Sequence, residues 1–399
     1  MRFENMVEVN FERLPAAKSL FDADLDPRRI MRDIALLTGH QITPGETLLF
    51  FDELQEAPRC LTALRYFYEE LPELHVIGAG SLLEFAIESQ GLPVGRIEFA
   101  HMFPLTFAEF LWARGKPLLV DFILDDLPTK PVSEVIHREL LALLGEYLAV
   151  GGMPEVVDLW TQHGDMPQCK AVHHQIIQSY RQDLAKYSKR SEVHRVAHLF
   201  DELPHHVVRK WKFSNVSGDY RARDLRPALE LLEKCHIVQS VYHSSAQGLP
   251  LGAGADRAKR KILMLDVGLM QTMLGLDASQ WILNTDAQFI NRGTIIEAFV
   301  GQELTAYLSR GGRADLYYWL REARSSNAEV DYLLPLGQSL IPIEVKSGKQ
   351  GRHMGLQLFA ESHAASPFGV LLSPANVDCS ERLRKYPLYF VGGLVGEVS

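Results

Sequence analysis

Thr47-Leu48-Leu49-Phe50-Phe51-Asp52-Glu53 is four apolar residues in a row, closed by two carboxylates. A run this short and this apolar reads as a buried strand of a parallel sheet. Its surroundings agree. Met6-Val-Glu-Val-Asn-Phe11 alternates as a strand does, and Pro58 opens a helical segment that runs through Tyr68. Leu74-His-Val-Ile-Gly-Ala-Gly80-Ser81 is a second short apolar strand, closed by glycines and a hydroxyl. Ile97-Glu98-Phe99 reads as a further strand. Strands alternating with helices at this spacing predict a doubly wound α/β sheet.

An apolar strand that ends in Asp-Glu has a specific use in P-loop ATPases. The Asp holds Mg²⁺ through water, and the Glu polarises the attacking water. On this reading Asp52 is the metal and cofactor residue and Glu53 the catalytic one. Ser81, at the tip of the next strand, could reach a phosphate or that water, and Arg96 could stabilise phosphate charge. Strand-end acids and surface arginines also occur without any chemistry, so the pattern leaves both readings open.

Length and charge frame these residues. A chain of 399 residues, 47% hydrophobic, is long enough for two or three domains with a substantial core. Four scattered cysteines exclude a disulfide-stapled miniprotein, and the hydrophobic content excludes a mostly disordered chain. No apolar run is long enough to span a membrane and the start is not a signal peptide, so a cytoplasmic protein with no membrane partner is expected. The formal charge of −9 is unevenly distributed. Residues 1–169 carry 13 Lys+Arg against 27 Asp+Glu, a net −14. Residues 170–261 carry 17 against 9, a net +8, and residues 262–399 carry 11 against 14, a net −3.

A basic middle between acidic ends is compatible with a polyanionic partner, or with solvated faces that simply differ. The pattern from Leu105 to about Lys210 is mainly helical. Ala222–Cys235 then forms an amphipathic run, and Ile237–Tyr242 a strand. Helix, turn, helix and strand pair is the outline of a winged helix. Arg221, Arg223 and Arg226 fall near the start of its second helix, where such a fold meets nucleic acid. A protein contact is the alternative. His194 and His198 have a metal-compatible spacing and His205-His206 follow, but packed or solvated histidines are the simpler reading.

Beyond Asn291 the elements run helix (Thr294–Leu308, carrying Glu297), three strands (Ala314–Leu320, Glu329–Pro335, Leu340–Lys346), helix, and strand (Phe368–Leu372). Asp331 lies on the second strand. Glu344 and Lys346 lie on one face of the third, two residues apart. This αβββαβ arrangement resembles the PD-(D/E)XK nuclease-like fold. The resemblance implies Mg²⁺ held by Asp331, Glu344 and Glu297, with Lys346 positioning or activating water. Glu-x-Lys on a strand also arises as a plain charge pattern.

Taken in order, TLLFFDELQ, HVIGAGSLL, VGRIEFAHMFPLTFAEFL and YLAVGGMPEVV resemble the bacterial and archaeal AAA-type ATPases with a C-terminal domain of unknown function. They match that family's Walker B strand, sensor strand, Gly-Arg segment and Gly-Gly-x-Pro-Glu turn. The resemblance implies Mg²⁺-dependent ATP hydrolysis. It also implies a GxxxxGK[ST] phosphate loop before Met6, and the sequence contains none. ATP binding by the chain as it stands is therefore expected to be weak or absent, with a start assigned too far downstream as the preferred explanation and a degenerate ATPase as the alternative. The expected architecture is α/β and multi-domain. Residues 1–115 form a truncated P-loop-type parallel sheet, 116–270 a helical and winged-helix-like middle, and 271–399 the restriction-endonuclease-like domain. An ATPase acting on DNA or a protein partner is the expected function, with a Mg²⁺-dependent nuclease and a non-enzymatic binding module as alternatives. The sequence sets no oligomeric state.

Overall fold

The computed structural model describes residues 3–81, 95–188, 192–309, 312–321, 328–348 and 353–398. The chain forms two compact units, Met1–Phe99 and Ala100–Ser399. Among the described residues, no helix is long and apolar enough to cross a membrane.

The first unit contains β1 (Asn5–Asn10), α1 (Pro27–Thr38), β2 (Thr47–Asp52), α2 (Pro58–Glu70) and β3 (His75–Gly78). The strands are parallel in the order β1-β2-β3, with Val7 opposite Leu49 and Leu49 opposite Val76. Local chemistry sets the helix ends. The Asp26 carboxylate accepts the Arg28 N–H at the start of α1, Pro27 takes the first helical position, and Gly39 closes the helix at φ 73°. Val7, Val9, Leu49 and Phe51 pack with Ile30 and Ile34 of α1 and Leu61 and Phe67 of α2. The Phe51 ring lies 5.8 Å from Phe11, 5.9 Å from Phe21 and 6.0 Å from Phe67.

Two expectations change here. β2 is fully buried on one face only, through Thr47, Leu49 and Phe51, while Leu48, Phe50 and Asp52 are half-buried. Among the described residues, α1 and α2 pack on the Val7, Val9, Leu49 and Phe51 face of the sheet, and Met6 and Ile77 are 54% and 50% exposed. Ile97-Glu98-Phe99 is irregular and largely exposed rather than a strand. Three residues without a neighbouring strand have nowhere to place their backbone hydrogen bonds.

The second unit opens with helices α3 (Phe107–Ala113), α4 (Pro117–Leu124), α5 (Glu134–Val150), α6 (Pro154–His163), α7 (Met166–Tyr187), α8 (Val193–Glu202) and α9 (Ala222–Lys234). The hairpin of β4 (Val238–Ser244) and β5 (Ala255–Met264) follows. After it come α10 (Val267–Met273), α11 (Gln280–Leu283), α12 (Thr285–Asn291) and α13 (Gly293–Leu308). The chain then forms β6 (Leu316–Leu320), β7 (Glu329–Val330), β8 (Tyr332–Leu336), β9 (Ser339–Val345), α14 (Met354–Ser362), β10 (Gly369–Ser373), β11 (Asp378–Cys379), β12 (Leu383–Pro387) and α15 (Val391–Val398). The helix and strand order expected beyond Asn291 is present with one correction: the expected second strand, Glu329–Pro335, is split at Asp331 into β7 and β8, so Asp331 lies between strands rather than on one.

Strand pairing ties the expected middle and C-terminal modules together. β4 is antiparallel to β5 and parallel to β6, so a strand from beyond residue 270 completes the sheet of the hairpin, in the order β5-β4-β6-β7. The second sheet runs β11-β12-β10-β9-β8. β7 pairs in the first sheet and β8 in the second, and the single residue between them is Asp331. One hydrophobic core extends from Phe107 to Val395 with no break at residue 270.

The Gly151-Gly152 turn is built around a buried acid. Asp266, wholly buried, accepts the Gly152 N–H at 2.6 Å and the Leu269 N–H at 2.9 Å, the latter capping α10. Gly151 has φ 77°, and a Cβ there would meet the Asp266 carboxylate at 2.4 Å. A Cβ at Gly152 would meet the Leu105 carbonyl oxygen at 2.3 Å. Neither position has room for a side chain.

Candidate functional site

The first unit places Asp52 and Glu53 at the carboxyl end of β2. Asp52 is half-buried there. Its Oδ2 accepts the Asn10 side-chain amide at 2.7 Å, and its Oδ1 accepts the Glu53 N–H at 3.0 Å. Asn10 in turn accepts the Glu12 and Arg13 N–H groups at 3.0 and 2.8 Å, so the end of β1 holds Asp52 in place. Glu53 has φ 55°, a left-handed conformation that a residue with a Cβ adopts at a cost of about 1 kcal/mol. Its carboxylate accepts the Gln55 side-chain amide.

The tip of β3 is bonded to the same place. Ala79 donates to Phe51 O at 2.7 Å, and Leu54 donates to Ala79 O at 3.0 Å. A Cβ at Gly78 would meet Leu54 Cδ1 at 2.4 Å, so any larger residue there would have to displace the Leu54 side chain. Ser81 follows, exposed, two residues beyond Ala79. Arg96 lies elsewhere in the unit and donates to the Glu69 carboxylate of α2 at 3.0 Å. Asp52, Glu53 and the strand end that leads to Ser81 are therefore neighbours, and Arg96 is held on a helix.

In the second unit, two of the residues expected to bind metal, Glu297 and Asp331, surround a cation already present. Lys261 of β5 has a side chain only 3% exposed. Its Nζ lies 2.8 Å from Glu297, 2.5 Å from Glu329 and 3.5 Å from Asp331. It also faces the Tyr318 ring at 5.4 Å from the centroid. Burial works against the ammonium, but Glu297, Asp331 and Glu329 outweigh it and hold Lys261 well above the usual lysine range. Burial, reinforced by Asp331, pushes the Glu297 carboxyl up to about 8, although Lys261 pulls it down. Asp331 Oδ2 accepts the Val345 N–H at 2.8 Å, which pins the switch from one sheet to the other. Glu344 is buried and pairs through one oxygen with Lys346 at 2.6 Å, while its Oε2 has no hydrogen-bond partner among the described residues.

The sequence reading missed Lys261 and Glu329. In Ala255-Asp-Arg-Ala-Lys-Arg-Lys261-Ile-Leu-Met264, Lys261 looks like the last of a row of solvated cations. Its one distinguishing mark is that an apolar run begins at the next residue. That run, Ile262-Leu263-Met264, is fully buried, whereas the cations before Lys261 are not.

Arg221, Arg223 and Arg226 are exposed at the first turns of α9. The Arg221 N–H is taken by Asp224 at 3.2 Å, and the Arg226 guanidinium lies 5.9 Å from the Phe213 ring centroid. His198 contacts Ser217 O at 2.8 Å, and His206 lies edge-on to Trp211. Among the described residues, no three His, Cys, Asp or Glu side chains form a group that could hold a metal ion.

Residues 2–111 match the family model described as an AAA domain. Residues 141–280 and 292–388 match two models described as domains of unknown function, DUF8612 and DUF4143. No curated protein and no solved structure matches the chain. The chain thus carries an AAA-type domain followed by two domains of unknown function.

Proposed function

We propose that this AAA-type domain handles ATP and that Asp52 and Glu53 are its hydrolytic residues. The observation that carries the reading is the geometry of the β2 end. There Asn10 fixes Asp52, and Glu53 occupies a left-handed conformation at the turn out of the strand. Backbone outliers of this kind cluster at active sites. Asp52 and Glu53 offer the oxygen donors that a hard cation takes. Each Asp52 oxygen already accepts one hydrogen bond and keeps a second lone pair, so the pair fits a water-bridged Mg²⁺. When bound between phosphates, that ion neutralises the charge that develops during phosphoryl transfer. Asp52 would anchor its waters, Glu53 would orient and polarise the attacking water, and Ser81 would contact the phosphate.

The other half of an ATP site, the phosphate-cradling GxxxxGK[ST] loop, does not occur in this sequence. The chain alone is therefore expected to bind ATP weakly or not at all. A fluorescent ATP analogue titrated with Mg²⁺ tests both statements. Little binding is expected for the chain itself, and saturable binding once a strand–GxxxxGK[ST]–helix segment precedes Met1. Asp52→Asn should weaken the Mg²⁺ dependence of that binding. Absence of binding by the extended chain would contradict the proposal.

A second reading concerns the basic middle of the chain. The exposed guanidinium groups of Arg221, Arg223 and Arg226 at the start of α9 favour contact with a nucleic-acid backbone, because a helix N-terminus adds its own positive end to theirs.

A further inference from the structure

The PD-(D/E)XK resemblance implies a Mg²⁺ ion among Asp331, Glu344 and Glu297. The side chains there do not fit one. Asp331 directs Oδ1 to Lys261 and gives Oδ2 to the Val345 N–H. Glu297 meets the same ammonium at 2.8 Å. Glu344 turns to Lys346, and its other oxygen lies against α14, where a Cβ on Gly355 would come within 3.4 Å of it. The three expected ligands therefore face two different cations and do not converge on one point. Mg²⁺ demands near-octahedral oxygen donors at short range, and these carboxylates are arranged for something else.

They are arranged for an ammonium ion. A lysine head group has three N–H donors, and three carboxylates, Glu297, Glu329 and Asp331, meet this one. Lys261 is carried in by β5, opposite Val241 of β4, so the sheet fixes its backbone. The buried stem and the Tyr318 face fix its side chain. Glu329 also receives Lys210 at 3.6 Å from outside the cluster.

We propose that Lys261 is the resident cation of this cluster, standing where the PD-(D/E)XK resemblance implies a divalent ion. The domain then keeps its carboxylates without metal chemistry, and removal of the lysine opens a divalent-cation site. The contrary view makes Lys261 a second lysine beside a functional metal ion, and it predicts metal binding by the unaltered chain. The proposal is independent of the ATP reading, because its test depends on Asp331 and not on Asp52.

The test is a Mn²⁺ titration of the full chain, followed by the paramagnetic signal of free Mn²⁺, with folding monitored by circular dichroism. The unaltered chain should show no Mn²⁺ uptake that Asp331→Asn removes. Lys261→Met should gain one site, at least roughly tenfold tighter than any residual binding, and Lys261→Met combined with Asp331→Asn should lose it. Uptake by the unaltered chain that Asp331→Asn abolishes would overturn the proposal. So would a folded Lys261→Met chain that gains no site. If Lys261→Met does not fold, the comparison of the unaltered chain with Asp331→Asn still decides between the two views.

Discussion

Lys261 and Glu303 are two buried charges with different consequences. Removing the cation from Lys261 leaves three carboxylates facing one another, and breaking a buried pair in this way costs about 3–5 kcal/mol. Lys261→Met should lose stability of that order in urea denaturation, and a loss below about 1 kcal/mol would contradict the pairing. Among the described residues, Glu303 has no cation beside it. It is buried in α13, accepts the Phe107 N–H at 2.9 Å, and burial pushes its carboxyl up to about 8. Its folded value exceeds its unfolded one, so between pH 4.5 and 8 the native state binds a proton that the unfolded chain has released. Stability should fall as pH rises through that window, by roughly 1 kcal/mol per pH unit from this group. Glu303→Gln keeps the acceptor for Phe107 and should flatten the slope, and an unchanged slope would show that Glu303 is not its source. Neither residue was legible in the sequence. A lysine or glutamate inside a charged or amphipathic run carries no local mark of burial, which is set by elements distant in the chain.

Elements were more legible than residues, and for a physical reason. Period is local, so β2, α9 and most of the order of elements beyond Asn291 could be read directly, while the break at Asp331 between β7 and β8 could not. Ile97-Glu98-Phe99 failed because three residues have too little pattern to separate a strand from an extended coil. The Gly151-Gly152 turn could be seen as a break, but its cause could not, since Asp266 and Leu105 reach it from other segments. Gly152→Ala should destabilise by about 2–4 kcal/mol, because the new methyl meets backbone rather than a movable side chain. A thermal melt equal to that of the unaltered chain would contradict this packing. At α9, the polyanion reading predicts salt-sensitive DNA binding. Replacing Arg221 and Arg223 with alanine should lower the slope of log affinity against log salt by roughly 0.9 for each phosphate no longer neutralised. Lack of any binding at low salt would dispose of the reading.

For the molecule as a whole, charge divides the chain more finely than packing does. The step from −14 to +8 to −3 suggested three modules, whereas the structure has two units, because β6 joins the hairpin of the basic segment across about seventy residues of chain. Pairing over that distance leaves no trace in local pattern. Hydrogen exchange should show residues 141–280 and 292–388 losing protection together, and separately from residues 3–81. The ATP reading rests instead on the β2 end, and steady-state ATP turnover by the chain extended with a phosphate loop tests it most directly. Glu53→Gln should lower turnover by about 10²–10⁴-fold with binding retained, while Lys346→Ala leaves it unchanged. Equal turnover in Glu53→Gln and its parent would contradict the account.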